Sequence, residues 1–376
     1  MRSHFFPLYI FLVIIFSCGR PGVGLFAKKQ SAHEKYTDSI IKAGYNNTSA
    51  GKAWLRAAEL SLVQPFQLQL PYTEIGYFNA DKPAATGFEF EVKRGTKIYV
   101  SFPPGLFVDL FESGSTGNLP LLVSAAKTDS ILQYIVKKDT RYILRMQSEI
   151  GKSLLYQVQL FTGPSLAFPV QLTGNPKVIS LWGAGRDNGT RSHEGVDISA
   201  AFRTPALAAA DGRVTSVSEN KLGGKVVFIS PDDADFNLYY AHLDTQMVLQ
   251  GQHVKAGDIL GLVGKTGNAQ YTVPHLHFGI YTNAGAIDPL LFIDNRQMKP
   301  VVLKISSSQL NTWVQSQAAN VLYNGPSLKN TQLGTFSAGD SLLVIGMNED
   351  WARVSASNGQ AGYIKRTKIK KEPKKK

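Results

Sequence analysis

The alternation of apolar and polar positions changes texture several times along the chain. An apolar run, Phe5 to Phe16, opens it and is interrupted by Pro7. Two stretches then carry a helical period. Ser31 to Ala43 is weakly amphipathic, and Ala50 to Leu62 carries Ala53, Trp54, Ala57, Ala58 and Leu60, with Asn46-Asn47 as the break. From Pro65 to Gly163 the period shortens to two, as in Phe88 to Val92, Lys97 to Phe102, Phe107 to Phe111, Tyr142 to Met146 and Tyr156 to Leu160. Gly, Pro and Asp or Asn punctuate these runs at about 8–12 residues, the spacing of a small β-sandwich. This stretch holds no histidine, so a binding or spacer role suits it better than an enzymatic one. Residues 166–298 continue with short strands and many glycines, the texture of a folded antiparallel sheet with tight turns. A polar segment, 299–317, reads as a linker, and 318–369 have the strand spacing of a small β-barrel.

The predicted fold class is therefore mainly β and multidomain. Its parts are a leader at 1–17, a tether with short helices at 18–63, and a β-sandwich-like domain at 64–165. An antiparallel β domain at 166–298, a linker at 299–317, a barrel at 318–369 and a basic tail at 370–376 complete it.

The opening apolar run is shorter than the roughly 20 residues that span a bilayer, and Arg2 precedes it, which is the pattern of a secretory signal. It ends Ile15-Phe16-Ser17-Cys18, which resembles a bacterial lipobox. Cys18 is the one cysteine of the 376-residue chain, so no internal disulfide can form. Lipidation of Cys18 would make this an exported protein anchored in the bacterial cell envelope; an ordinary export signal with an incidental cysteine is the alternative. The formal charge of +12 is concentrated at the other end, where Lys365 to Lys376 hold eight basic residues and one acidic one. Such a run reads as a solvated tail, or as one attracted to anionic envelope polymers. Nucleic acid is an improbable partner behind an export signal, and no stacking aromatics interleave the basic run.

The chemistry sits between Ser192 and Ile280. Four of the seven histidines fall there, namely His193, His242, His275 and His277, with Asp197 four residues after the first. Imidazole and carboxylate are the ordinary ligands of zinc, and a catalytic zinc takes three protein ligands and keeps one position open. Gly195 and Val196 argue against a helix between His193 and Asp197, so a loop feeding a strand fits. His275-Leu276-His277 has period two, which puts both imidazoles on one strand face and Leu276 on the other. His33 and His253 read as core or surface residues, and His4 lies in the leader.

Around these residues the sequence resembles the lysostaphin/LytM-like zinc metalloendopeptidases that cut cell-wall peptides. The likeness covers about residues 176–292. It includes His193-x-Gly195-x-Asp197, Thr204-Pro205, Ala209 to Val214, Tyr240-Ala241-His242-Leu243, Gly251 to Asp258, Gly261 to Gly267, and His275 to Phe278 with Asp288-Pro289 after it. The resemblance implies that His193, Asp197 and His277 hold one Zn2+ per chain while His242 and His275 flank the attacking water. It also implies peptidoglycan peptides as substrate. The C-terminal stretch, through Ala319 to Ser327, Gly339-Asp340, Asp350 to Val354 and Gly359 to Ile364, resembles bacterial SH3-like modules, which implies cell-wall binding. Trp351 and Tyr363 could be ligand contacts or plain core aromatics.

Zinc lowers the pKa of a bound water to about 7 and polarises a carbonyl, which is what amide hydrolysis needs. No glutamate on a His-Glu-x-x-His helix is available as base, so His242 and His275 are the acid–base candidates. Glu194, next to a candidate ligand on an extended segment, should point away from the ion. Two other readings remain: a wall-bound regulator that activates another hydrolase, and a structural tether between membrane and wall. The complete set of five residues favours the enzyme.

Overall fold

The computed structural model describes residues 30–114, 119–186, 189–295, 300 and 302–371. The leader, Cys18 and the last residues of the basic tail lie outside these. Two helices begin the described chain. Ala32–Lys42 starts at a capping box, in which the Ser31 hydroxyl accepts from the Glu34 amide and the Glu34 carboxylate accepts from the Ser31 amide. Ser49–Val63 follows a short turn at Tyr45–Asn47, where the Asn pair marked a break. The helices do not form a free tether. Trp54 is buried against Phe107 and His33, and its indole donates to the Ser148 carbonyl at 2.8 Å.

A β-sandwich comes next. One sheet is ordered Phe66–Gln67, Ala85–Val92, Thr140–Gln147, Phe107–Ser113, Leu121–Ser124. The other contains Tyr72–Phe78, Leu154–Pro164, Thr96–Ser101 and Ile131–Ile135. Alternate residues such as Phe88, Phe90, Ile98, Val100, Leu144 and Val158 fill the space between, as the period-two pattern requires.

The second sheet does not end at the sandwich. Tyr72–Phe78 pairs antiparallel with Ser341–Met347, Ile75 opposite Met347 and Gly76 opposite Gly346, so the strands of the C-terminal module continue the same sheet. Beneath this join lies an ion pair excluded from solvent: Arg353 Nη2 donates to Glu74 Oε1 at 2.8 Å. The hydroxyls of Tyr72 and Tyr363 donate to Glu74 Oε2 at 2.7 and 2.8 Å, and Arg353 also donates to Tyr156 and Thr86. Burial and the nearby carboxylate push both tyrosine hydroxyls far above their ordinary range. Tyr363 and Trp351 are thus interior residues, Tyr363 a member of this network. The described part of the expected linker, 302–317, is partly built into this module too. Leu310 is buried and Trp313–Ser316 is a strand of its sheet, since Leu310 and Val314 enter the core and Leu303 and Ile305 pack against it.

The central domain has its own core, which includes Val196, Ile198, Tyr240, Leu243, Leu276 and Phe278. Its sheet runs Lys177–Ser180, Val196–Ser199, His275–Thr282, Phe236–Gln246, Gly224–Pro231, Gly212–Asn220, His253–Val254. The architecture is mainly β with antiparallel sheets and N-terminal helices, as the patterning predicts. No helix among the described residues is long and apolar enough to cross a membrane.

Candidate metal centre

The strand His275–Thr282 lies between two others, and the register of its neighbours assembles the site. Asp197 on Val196–Ser199 is directly opposite His277, and Ala241 on Phe236–Gln246 is opposite His277 from the other side. The period of two turns His275 and His277 to one face, while Leu276 is completely buried in the core behind. His193 enters from the loop before Val196–Ser199, held by reciprocal backbone bonds between residues 183–184 and His193.

Gly195 is required between His193 and Asp197 by space. A Cβ there would stand 2.8 Å from the His277 ring at Nε2 and Cε1 and 2.5 Å from the Phe278 carbonyl oxygen. The strand could not then pass close enough to bring Asp197 and His193 together over His277.

Three donor atoms converge. His193 Nε2 is 2.9 Å from Asp197 Oδ1 and 2.9 Å from His277 Nδ1, and His277 Nδ1 is 3.0 Å from Asp197 Oδ1. Among the described residues this is the His/Asp group whose donor atoms lie close enough to share a metal ion, all within 4.8 Å. Two imidazoles and a carboxylate are a borderline-soft set of the kind zinc takes. The neighbouring groups fit this. The His193 Nδ1–H donates to the Leu181 carbonyl at 2.8 Å, which fixes the ring with Nε2 towards the centre. Asp197 Oδ2 accepts from Arg186 Nη2 at 2.8 Å, leaving Oδ1 for the convergent group. The Asp197 carboxyl is held far below its usual range by hydrogen bonds and charge from His193 and His277, against burial, which opposes them. Burial lowers the His277 pKa, with the Asp197 carboxylate pulling the other way. Burial thus favours the neutral imidazole that a metal needs at His277.

His242 and His275 stand beside this trio. Their rings are 5.0 Å apart in an edge-to-face arrangement, and His275 Nε2 is 3.9 Å from Asp197 Oδ1. The His242 Nδ1–H donates to Thr266 O and the His275 Nδ1–H to Val273 O, each at 2.9 Å, so Nε2 is the nitrogen of each ring left over for the groove. Desolvation and the neighbouring His275 and His277 lower the His242 pKa to about 4. His242 adopts a left-handed backbone, φ 61°, at a β-bulge. There its strand leaves the His275–Thr282 neighbour and pairs onward with Ile259–Val263, and the bulge turns the imidazole into the site.

All five residues picked out in the sequence line one groove of about 500 Å³. Glu194, expected to point away from the centre, accepts from the Tyr281 hydroxyl at 3.2 Å on the groove wall. His33 packs in the helix–sandwich core and His253 pairs with Asp232 at the surface. Sequence reasoning missed Arg186, Ser180 and the carbonyls of Leu181, Thr266 and Val273. None has a spacing signal, because their roles depend on which loop folds against which histidine.

The fold and site define a β-sheet domain with a metallopeptidase-type His-Asp-His centre. Residues 191–289 match the family described as Peptidase family M23, and this segment is an M23 peptidase domain. The chain is 33% identical over 127 residues to the L-Ala--D-Glu endopeptidase of Bacillus subtilis, a match covering 32% of this chain and 39% of that protein. It is 33% identical over 121 residues to the murein hydrolase activator NlpD of Escherichia coli, covering 32% and 30%. Each match thus spans well under half of the relative's own length. Among solved structures, the catalytic domain of the antimicrobial peptidase lysostaphin from Staphylococcus simulans is 31% identical, covering 33% of this chain and 97% of that one, with a TM-score of 0.30.

Proposed function

We propose that this protein is an exported zinc endopeptidase that hydrolyses stem peptides or cross-links of bacterial peptidoglycan. The observation that carries the reading is the joint presence, in one groove, of a three-atom donor set and two further imidazoles whose Nδ1–H groups are held by backbone carbonyls. His193, Asp197 and His277 would hold the ion. Bound there, zinc supplies Lewis acidity for the scissile carbonyl and acidifies water.

The chain's own groups do the rest. His242 remains neutral at physiological pH, so its Nε2 can take a proton as water oxygen bonds to the carbonyl carbon. His275 Nε2, on the same side as Asp197, is placed to donate a hydrogen bond to the developing oxyanion when protonated. As the C–N bond breaks, the proton returns to the leaving amine. Val273 and Thr266 fix the two rings through their Nδ1–H groups. Lipidation of Cys18 would hold the enzyme in the envelope, and the C-terminal barrel would contribute wall binding, raising local substrate concentration.

A second reading, activation of another hydrolase, is favoured by the likeness to NlpD. The test is metal content and digestion of purified sacculi by the wild type and five alanine variants. His193→Ala, Asp197→Ala and His277→Ala should lose stoichiometric zinc. His242→Ala and His275→Ala should keep it yet lose at least ~10²-fold in turnover. Sacculi left intact by the zinc-loaded wild type, but cut once a second hydrolase is added, would replace this reading with the activator.

A further inference from the structure

We infer that Arg186 is a recognition residue for a substrate carboxylate, making the groove selective for acidic stem peptides over uncharged glycine bridges. This deepens the endopeptidase reading and rests on it.

Arg186 lies on the short strand Gly185–Arg186, paired with Arg191–Ser192. A single nitrogen, Nη2, donates both to Asp197 Oδ2 at 2.8 Å and to Ser180 Oγ at 2.7 Å. These bonds fix the plane of the guanidinium but do not bury it. Its side chain keeps 29% exposure and lines the same groove as the five central residues. Both Nη2 hydrogens are taken up by these bonds, so a two-pronged grip is closed, and an anchored, permanently charged guanidinium at the lip of a reaction centre would meet a carboxylate through a single charge-assisted bond from Nε or Nη1. Anchoring also spares the side-chain entropy that a free arginine would lose on binding.

The charge balance of the groove points the same way. Arg186 and Arg191 offset Glu194 and Asp197 among its lining residues, and the Glu194 carboxylate is already engaged by Tyr281. Among the described lining residues, a divalent ion in the donor set would tip this balance to positive, which favours an anionic peptide. Elsewhere the groove is lined by Ile179, Leu222 and Val273, all exposed, which suit a small apolar side chain such as alanine. A stem peptide combines both chemistries, since it holds alanine and a free carboxylate in one short chain.

The test uses the full chain loaded with zinc and two synthetic stem peptides, identical except that one bears a free carboxylate next to the scissile bond and the other a carboxamide. Pentaglycine serves as the uncharged control. A charge-assisted hydrogen bond supports a preference of about 10–100-fold for the carboxylate form. The expected result is that preference in kcat/KM, carried by KM, with Arg186→Met abolishing it and Arg186→Lys keeping part of it while both retain zinc. Equal rates on the two peptides by the wild type would overturn the inference. So would loss of zinc from Arg186→Met together with an unchanged preference in Arg186→Lys, since Arg186 would then act only by positioning Asp197. If neither peptide is cut, calorimetric titration of the same pair separates the questions. Selective binding of the carboxylate form that depends on Arg186 would keep this inference while the endopeptidase reading falls, and equal or absent binding would end both.

Discussion

Replacing Arg353 with methionine should unlock the join between the sandwich and the C-terminal barrel. The side chain of Glu74 is completely buried and that of Arg353 is 4% exposed, so neither charge has water to fall back on. Arg353 makes contacts at 2.8 and 3.2 Å to Glu74 Oε1, and it also donates to Tyr156 at 2.7 Å and Thr86 at 3.2 Å. Methionine matches much of the volume but leaves a carboxylate supported by tyrosine hydroxyls alone. Breaking a buried pair from one side costs about 3–5 kcal/mol. The double variant Glu74→Leu/Arg353→Met removes both charges. It leaves Tyr72 and Tyr363, whose oxygens are 3.1 Å apart, to bond each other. Its cost should fall short of the sum of the single changes by at least about 2 kcal/mol. Urea unfolding of the four proteins, followed by tryptophan fluorescence, completes the cycle. Additive costs, or a loss below about 1 kcal/mol for Arg353→Met, would refute the argument. Because the network lies outside the M23 domain, hydrolysis of a small soluble peptide should change less than twofold. Deleting the whole barrel is a poorer experiment, since it strips the cover from Ile75 and Glu74.

Burial lowers the His33 pKa from 6.5 to about 4, where its Nε2 bonds Gln147 at 2.8 Å. The unfolded chain binds the extra proton between those values, so stability rises with pH across that window and is lost on acidification. Moving from pH 7 to pH 5 should cost wild type about 2 kcal/mol more than His33→Phe in urea unfolding; equal losses would exclude this histidine as the cause. Gly195→Ala should displace the His277 ring and weaken zinc at least about tenfold, the low end for disturbed metal surroundings, as read by chelator competition. An unchanged affinity would show that the strand yields instead. Cys18→Ala should release the protein from the membrane fraction; continued sedimentation with membranes would argue against a lipid on that residue.

Much of this protein is legible in its sequence because the relevant signals are local. Period-two alternation gives strands such as Ala85–Val92, and Ser31 with Glu34 gives the first helix its start. The five centre residues stand out because chemistry-bearing side chains cluster beside Gly, Pro and aromatic residues, and the spacing of His275 and His277 fixes their shared face. Strand register decides what spacing leaves open: that Asp197 lies opposite His277, and that a bulge brings in His242. The anchor of Arg186 and the three carbonyls that set the imidazole tautomers likewise come from loops meeting in space. So does the join of Tyr72–Phe78 to Ser341–Met347, strands more than 260 residues apart, with an ion pair whose members look like ordinary surface charges in the sequence. Local patterns report what each residue can do within a turn or two of chain. Long-range pairing chooses its partner, and here that choice assembles the centre and welds the first β domain to the last.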